Sequence, residues 1–304
     1  MKWAKPEALA PIGRSHLLPH FFVYADLHLH SHFSDGTFTP EEICQQAVKH
    51  GLSTVALTDH DTLEGWSRMA RACELGGLEF VPGTELTAEH NGTEVHILGY
   101  WINGSSPALA SRLAGFQAVR VNRIRDMVHR LNERGVPLTA EAVFKIANCR
   151  SPGRPHVARA LVQEGFCKDF DDAFDRYLKK GRPAWVPKTR MDSGEAIDLI
   201  HDAGGVAVLA HPGLYKKDEM IPEIAAEGID GIECWHTKHN PDSAHRYEGM
   251  ATTLGLAATG GSDCHGLAKG QPLIGRVKVP YQKVVSLKEK RRTPREPARP
   301  SNQN

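Results

Sequence analysis

The sequence lacks the motifs that mark several common enzyme classes. Its 304 residues contain no GxSxG nucleophile elbow, no Walker A phosphate loop and no dinucleotide-binding fingerprint. No apolar run approaches the ~18 to 20 residues needed to cross a bilayer, and the N-terminal region has no continuous apolar core of the signal-peptide type. These absences exclude a serine hydrolase of the elbow type and a phosphate-loop enzyme. We expect a soluble, cytoplasmic protein that does not bind a membrane.

The sequence also contains little cysteine and almost no net charge. The six cysteines form no CxxC pair, which argues against both a disulfide scaffold and a structural zinc finger. Lys and Arg total 37 against 36 Asp and Glu, a formal charge of +1, so the chain as a whole is not strongly basic. Residues 281–304 nevertheless hold seven Lys or Arg and two Glu. We expect this basic segment to be a solvated, disordered tail rather than an RNA-binding arm.

From residue 21 onward, short apolar runs alternate with amphipathic segments. Thr39, Pro40 and Glu42 supply the N-cap, the first-turn proline and the acid of a capping box. The Asn91-Gly92 pair lies between two alternating segments and predicts a type I′ hairpin. This βαβα order is typical of an α/β protein with a parallel sheet or barrel.

The alternation of strand and helix patterns divides the chain into four parts. Residues 1–20 have no periodicity and are interpreted as an irregular extension. Strand and helix units occupy residues 21–101 and 190–280, and we expect them to form one domain. Residues 102–189 are almost entirely helical in pattern, which predicts a helical subdomain inserted into that domain. The basic tail, residues 281–304, ends the chain.

Histidine is the residue type in excess, with 17 copies. His28 and His30 follow the first predicted strand, and alternate side chains of a strand share a face, so both can bind one ion. Further polar clusters lie at or just past other predicted strand ends, whereas His96 lies within a strand of the hairpin. Because the loops at the carboxyl ends of barrel strands meet at one mouth, these distant residues are expected to converge there.

Six ordered motifs carry a resemblance to a known family. Through DLHLHSHFSDGTFTPEE, ALTDHDT, PGTELTAE, VHILGYWI, AHPG and GSDCHG, the chain resembles the PHP (polymerase and histidinol phosphatase) family of metal-dependent phosphoesterases over about residues 22–280. The segments PGRPHVARALVQEG and FDRYLKKGRPAWVP are similar to a branch that includes ribonuclease AM type 5′-3′ exoribonucleases and 3′,5′-bisphosphate nucleotide phosphatases. The resemblance implies a PHP-type distorted (β/α)7 barrel with an inserted helical subdomain that covers the substrate.

The resemblance also implies a trinuclear metal site. The ligands carried over are His28, His30, Glu85 and Asp263 for one ion, Glu85, His96 and His211 for a second, and Asp35, His60 and His265 for the third. Glu85 would bridge two ions, and Glu85 and Asp263 would act in catalysis through the metals. A ligand set of nitrogen and oxygen without thiolate suits Mn, Fe, Zn or Mg. Among three such divalent ions, Mn is the first expectation from the family.

The reaction expected at this site is metal-assisted hydrolysis of a phosphate ester. Three carboxylates and three divalent ions would leave a charge of about +3 in a concave site, which attracts a phosphate dianion. A metal-bridging hydroxide would attack phosphorus in line, and the ions would neutralise charge on the phosphoryl oxygens. The sequence does not identify the group that protonates the leaving oxygen.

Three further residues would contact substrate phosphate, again by resemblance. Arg154 and His156 lie in the insertion, and His239 follows a later strand. A guanidinium can bind two phosphate oxygens at once, whereas His239 is equally compatible with a structural role in its loop. Trp235 and His236 precede it, but a Trp beside a strand is more often part of the core than a platform for a base. No obligate protein partner is indicated.

The leading hypothesis is a phosphoric ester hydrolase. Its expected substrates are 3′,5′-bisphosphate or AMP-type nucleotides, or short RNA that it would shorten as a 5′-3′ exoribonuclease. One alternative is a histidinol-phosphate phosphatase, against which the PGRPHVARAL segment of the insertion argues. The other is a non-catalytic module that binds metal or nucleic acid. Loss of ligands would mark such a module, and all nine ligand positions are present.

Overall fold

A single sheet forms the centre of the protein in a computed structural model that describes residues 23–188, 191–268 and 270–292. The predicted extension over residues 1–20 lies outside the described residues. The strands are β1 (Tyr24–Asp26), β2 (Leu52–Leu57), β3 (Glu79–His90), β4 (Thr93–Tyr100), β5 (Met191–Asp192), β6 (Val206–Leu209), β7 (Gly231–His236), β8 (Ala257–Gly261) and β9 (Val279–Pro280). The short strands β5 and β9 pair with β3 and β1, and the other seven follow one another in the order β8-β7-β6-β4-β3-β2-β1.

This row of seven strands curves into a nearly closed barrel, in which the segment after β1 meets β8 and the residues that follow β8. The Leu27 N–H donates to the Gly260 carbonyl at 3.2 Å, and Leu29 and Cys264 form a parallel bridge. All other neighbours are parallel except β4, which runs antiparallel to β3 and β6. The carboxyl ends of six strands therefore lie at one rim. The α/β barrel expected from the sequence is confirmed.

Helices cover the barrel and form the insertion. Within the described residues they are α1 (Pro40–Lys49), α2 (Trp66–Gly76), α3 (Pro107–Asn132), α4 (Ala140–Ala147), α5 (Arg154–Gln163), α6 (Phe170–Ala173), α7 (Ser193–Asp202), α8 (Met220–Ala226), α9 (Pro241–Thr253) and α10 (Tyr281–Lys288). A π-helical turn (Phe174–Leu178) follows α6, and a 3₁₀ turn (Pro212–Leu214) precedes α8.

Two local predictions are confirmed in detail. At the start of α1, the Glu42 N–H donates to Thr39 Oγ1 at 3.2 Å, and the Thr39 N–H donates to Glu42 Oε2 at 2.8 Å, which is the reciprocal capping box. Between β3 and β4, Asn91 and Gly92 have φ angles of 48° and 74°. Positive φ at both positions is the requirement of a type I′ turn.

The barrel interior is filled with apolar side chains, and the rim is lined with polar ones. Leu98, Val206 and Val208 are fully buried in one interior cluster, together with Val284 and Leu287 from α10. Burial of this kind stabilises a fold by roughly 1.5–3 kcal/mol per large aliphatic side chain. The barrel is therefore a packed scaffold with a polar site at its mouth.

The insertion has a hydrophobic core of its own. Its buried side chains include Val143, Val157 and Leu161, and they pack with the second half of α3, from Ile124 onward. The first half of α3, including Leu109, packs instead on the barrel. The helix α3 therefore contributes to both hydrophobic cores, and the subdomain over residues 102–189 stays a prediction.

The predicted tail needs a correction. The sequence places disorder from residue 281, but Tyr281–Lys288 forms α10, in which Val284 and Leu287 are buried. The local excess of positive charge concealed an apolar pair at helical spacing (i, i+3). Residues 293–304, the rest of that prediction, lie outside the described residues. Among the residues that are described, no helix combines the length and apolarity of a membrane span.

Candidate metal centre

The nine predicted ligands come together at the barrel rim. Six of them follow strand ends: His28 and His30 after β1, His60 after β2, His211 after β6, and Asp263 and His265 after β8. Asp35 lies in the loop before α1, Glu85 within β3 and His96 within β4. Each of the nine belongs to at least one group of three or four residues whose potential ligand atoms lie within 4.8 Å of one another.

Glu85 is the centre of this arrangement. It is 1% exposed, and five imidazoles surround its carboxylate. The distances from Oε1 are 2.6 Å to His96 Nδ1 and 3.1 Å to His211 Nε2, and those from Oε2 are 3.3 Å to His28 Nε2, 3.2 Å to His30 Nε2 and 3.1 Å to His60 Nδ1. A carboxylate in this position can bridge two ions.

Two further carboxylates extend the centre on either side of Glu85. Asp263 Oδ1 lies 3.3 Å from His30 Nε2 and 3.6 Å from His28 Nε2. Asp35 Oδ1 lies 3.2 Å from His265 Nε2. The nitrogen and oxygen atoms therefore form adjacent groups that share members.

Several buried polar atoms of the centre form no hydrogen bond among the described residues, although imidazole nitrogens or carboxylate oxygens lie close to them. They include Glu85 Oε2, Asp35 Oδ1 and His60 Nδ1. Buried polar groups without partners are rare in folded proteins and call for a ligand or another explanation. Donors of this type, without thiolate, suit divalent cations such as Mn, Zn or Mg. The residues present therefore fit the metals that the sequence implies.

Opposite charges outweigh burial at Glu85 and His30, whereas burial prevails at His60 and His211 and lowers the pKa of both imidazoles. Burial raises the pKa of Glu85, but the neighbouring charges of His60 and His96 hold this pKa well below its usual value. Burial lowers the pKa of His30, yet the carboxylates of Asp263 and Glu85 raise it to about 10. The carboxylates are thus ionised and ready to bind cations. Metal binding at such a centre releases protons from the imidazoles.

Three of the seven non-glycine residues with positive φ in the described part of the chain lie at the same rim. His211 and Asp263 have φ angles of 30° and 52°, and Asp61, next to His60, has a φ angle of 50°. A non-glycine residue in this region costs of order 1–3 kcal/mol and persists where the surroundings determine the conformation. Two of these strained positions, His211 and Asp263, carry candidate ligand side chains.

Glu233 and His236 on β7 also belong to the centre. Glu233 is fully buried, with Oε1 and Oε2 at 3.0 and 3.2 Å from His28 Nδ1, and its Oε2 accepts a hydrogen bond from the His211 N–H at 2.8 Å. A carboxylate on Nδ1 leaves Nε2 of His28 free to bind a metal. His236 Nε2 lies 3.5 Å from Asp263 Oδ2. Sequence reasoning missed both residues in this role; His236, at the end of β7, offered the same strand-end signal as the ligands, whereas Glu233 lies within the strand.

A cavity of about 390 Å³ opens onto the metal centre. Its wall includes Asp35, Glu85, His96 and Asp263 from the barrel. The insertion contributes five cations to the wall: Arg120, Arg123, Arg154, Lys179 and Lys188. Phosphate groups are bound in proteins by such cations. The cavity therefore combines candidate metal ligands and phosphate-binding side chains in one space.

A buried ion pair connects the insertion to the rim. Arg120 on α3 donates from Nε to Asp61 Oδ2 at 2.7 Å, and Lys188 Nζ donates to Thr87 Oγ1 and lies 3.9 Å from the same Asp61 oxygen. Burial and the nearby Arg120 lower the pKa of Lys188 to about 7. The pair fixes the cationic wall relative to His60, the residue before Asp61.

The three predicted phosphate contacts lie in different environments. Arg154 lines the cavity. His156 is 1% exposed, does not line the cavity, and its Nδ1 accepts the Gly153 N–H at 3.0 Å. His239 donates from Nδ1 to the Cys234 carbonyl at 2.8 Å and accepts the Gly213 N–H at Nε2 at 3.1 Å. The geometry favours positioning roles for the two histidines, and their contact with phosphate stays a prediction.

Comparisons with known proteins agree with this geometry. A family model described as PHP domain matches residues 26–180. A 3′,5′-nucleoside bisphosphate phosphatase of Chromobacterium violaceum is 34% identical over 258 residues, which cover 82% of this chain and 90% of the relative. A 5′-3′ exoribonuclease of Haemophilus influenzae is 32% identical over 245 residues, 79% of this chain and 89% of the relative. A solved Bifidobacterium adolescentis structure, described as a candidate metal-dependent phosphoesterase, superposes with a TM-score of 0.82 at 34% identity over 88% of this chain and 96% of that one.

Proposed function

Because the chain belongs to the PHP domain family and is a metal-dependent phosphoesterase, we propose that its substrates are nucleotides. The proposed activities are removal of phosphate from 3′,5′-bisphosphate or AMP-type nucleotides and hydrolysis of short RNA from its 5′ end. The names of two relatives, a bisphosphate phosphatase and an exoribonuclease, support this substrate class. Two segments of the insertion, PGRPHVARALVQEG and FDRYLKKGRPAWVP, resemble the same branch.

We propose three divalent ions, with Mn as the first expectation. His28, His30, Asp35, His60, Glu85, His96, His211, Asp263 and His265 would hold them. The observation that carries the proposal is the position of Glu85, whose two oxygens lie within 3.3 Å of five imidazole nitrogens. Bound divalent cations activate water and neutralise charge on phosphoryl oxygens. Glu85 and Asp263 would thus serve catalysis by holding the ions.

The chain's own residues orient the substrate and keep the centre ready for the ions. Glu233 holds Nδ1 of His28, so that Nε2 lies towards Glu85 and Asp263. Arg154 and Lys188 in the cavity wall would bind a second phosphate of the substrate, away from the phosphate that reacts. Because one phosphate reacts at the metals and a second is bound by these cations, a nucleotide with two phosphates, or an RNA chain, would be preferred over a simple monoester.

A substrate comparison tests the proposal. In the presence of Mn, adenosine 3′,5′-bisphosphate and a 5′-phosphorylated RNA oligonucleotide should be hydrolysed with a higher kcat/KM than histidinol phosphate. Preference for histidinol phosphate would replace the proposed substrate class with the alternative. Hydrolysis of none of them, with the metals bound, would instead point to a non-catalytic module.

Arg154→Ala tests the second-phosphate contact. The variant should lose more kcat/KM on the bisphosphate than on the corresponding monophosphate, because only the bisphosphate offers the extra group. Arg150→Ala is the matched control, since Arg150 lies close in sequence but pairs with Glu64 at 2.9 Å and is largely exposed. Equal losses on both substrates would contradict the contact.

A further inference from the structure

A second, basic cavity lies on the same rim, next to the metal centre. It has a volume of about 650 Å³, and we call it the rim cavity. It lies between the segment after β7, the start of α9 and the segment before β9. Its wall includes Trp235, Lys238, His239, Arg276 and Lys278. Neither the predicted metal ligands nor the cations of the insertion line it.

A row of histidine rings connects the two cavities. His211 lines the cavity at the metal centre, and His239 lines the rim cavity. The ring of His236 lies between them, with its centroid 5.5 Å from that of His211 and 5.2 Å from that of His239. The two spaces are therefore separated by about one side chain. His236 itself is only 3% exposed, so a chain molecule that occupies both cavities would pass over the surface above this ring.

The charge of the rim cavity is positive. Lys238, Arg276 and Lys278 line it against one acid, Glu248. Within the described part of the chain, Lys238 and Arg276 form no ion pair, so their charges are available to a ligand. The ammonium group of Lys278 lies 5.6 Å from the ring centroid of Tyr24, which orients the cation without neutralising it.

An aromatic side chain completes this surface. Trp235 is partly exposed, lines the rim cavity, and has Lys283 Nζ 5.3 Å from its ring centroid. Cations that follow a backbone, together with aromatic faces, are the features by which proteins bind single-stranded nucleic acid without sequence preference. A mononucleotide at the metals has no phosphate to place in this second cavity, whereas an oligonucleotide has several.

We propose that the rim cavity binds the phosphates and bases of single-stranded RNA downstream of the 5′ nucleotide held at the metal centre. This inference rests on the proposed function and assigns its RNA substrate a path. The 5′ nucleotide lies between the metal centre and the cationic wall of the insertion. The RNA then passes over the surface above the buried His236 and continues along Lys238, Arg276 and Lys278.

The test removes the three cations together, as Lys238→Ala, Arg276→Ala and Lys278→Ala in one protein. With Mn bound, KM for a 5′-phosphorylated RNA octamer should rise about tenfold or more, because three solvent-accessible cations that contact phosphates are lost. KM for adenosine 3′,5′-bisphosphate should stay within twofold of the original. The slope of log KM against log salt for the octamer should fall by about 2, because each phosphate contact on a single strand contributes about 0.7.

The control protein loses the same charge from other exposed surfaces, through Arg71→Ala, Lys145→Ala and Lys168→Ala. It should retain the octamer KM and the salt slope within twofold. Equal effects of the two triple variants would overturn the proposal, since they would reflect net charge alone.

A binding measurement separates failure of this inference from failure of the proposed function. If the original protein hydrolyses neither substrate, the comparison uses fluorescence anisotropy of a labelled octamer with Mn present. The rim-cavity variant should then bind it about tenfold more weakly than the control variant does. Unchanged binding would overturn the rim cavity as an RNA site even though no turnover was observed.

Discussion

At the scale of single residues, the convergence of the candidate ligands was predictable, but the residues that support them were not. His28, His30 and Asp263 stand in short motifs at strand ends, where the sequence shows both the residue type and the position. Glu233 stands in the apolar run of β7, and only the folded barrel brings it to 3.0 Å from His28 Nδ1. Lys188 follows an irregular segment, so its place in the cavity depends on how the insertion packs on the rim.

Glu233→Gln should weaken metal binding rather than the fold. The amide keeps the size of the side chain but removes the charge that orients His28 and also accepts the His211 N–H. Changes of this kind in the partners of metal-binding histidines cost about 10–100-fold in metal affinity or activity. The Mn concentration that gives half-maximal turnover should therefore rise by at least about tenfold.

Glu195→Gln is the control for this prediction. Glu195 is an exposed acid on α7, paired at the surface with Arg112 at 3.1 Å. Its change should leave the Mn dependence as it was. A Glu233→Gln protein with an unaltered Mn dependence would contradict the orienting role of the carboxylate.

Lys188 should make substrate binding depend on pH. Burial and the charges of Arg120 and Arg123 lower its pKa to about 7, while Asp61 and Glu94 oppose this shift. Because the ammonium form predominates below this pKa, KM for a bisphosphate should rise as the pH increases from 6 to 8.5. Lys188→Arg should remove this rise, since a guanidinium stays charged throughout. Parallel KM profiles for the two proteins would show that Lys188 does not bind the substrate.

At the scale of elements, the sequence predicted those whose signals are local. The capping box at α1 and the Asn91-Gly92 turn depend on residues within four positions of each other, and both formed as expected. The helix α10 was missed because the surrounding positive charge dominated the interpretation. The two buried residues of α10 can be recognised as core residues only when the helix is seen packed against the barrel interior.

Leu287→Ala tests whether α10 closes the barrel. Leu287 is fully buried, and replacement of a buried Leu by Ala costs about 2–5 kcal/mol of the free energy of unfolding. Urea denaturation should show this loss. Val285→Ala on the same helix is the control, because Val285 is 38% exposed and its change should cost under about 1 kcal/mol. Small, equal losses would indicate that α10 is not docked in solution.

At the scale of the whole molecule, the chain combines a barrel that holds candidate metal ligands with an insertion that supplies cations. The alternation of strands and helices predicted both parts, since periodicity records which face of an element is buried. It could not predict that α3 belongs to both cores, or that the buried Asp61–Arg120 pair fixes one part against the other. These contacts join residues that are 59 positions apart in the sequence, and no local pattern encodes them.

The near-zero net charge of the chain conceals separate regions of opposite charge. It is the sum of a carboxylate-containing centre, a cationic wall on the insertion and the basic rim cavity. Attraction of an anionic substrate would arise from these local charges and from bound cations rather than from the total charge.

The most direct test of the central claim is phosphate release from adenosine 3′,5′-bisphosphate before and after removal of divalent ions by a chelator. We predict that the chelated protein keeps its circular dichroism spectrum but loses nearly all turnover, and that Mn restores it. Asp263→Ala should remain inactive with or without added Mn. Full turnover of the chelated protein, or of Asp263→Ala, would contradict the assignment of the rim as a metal-dependent phosphoesterase centre.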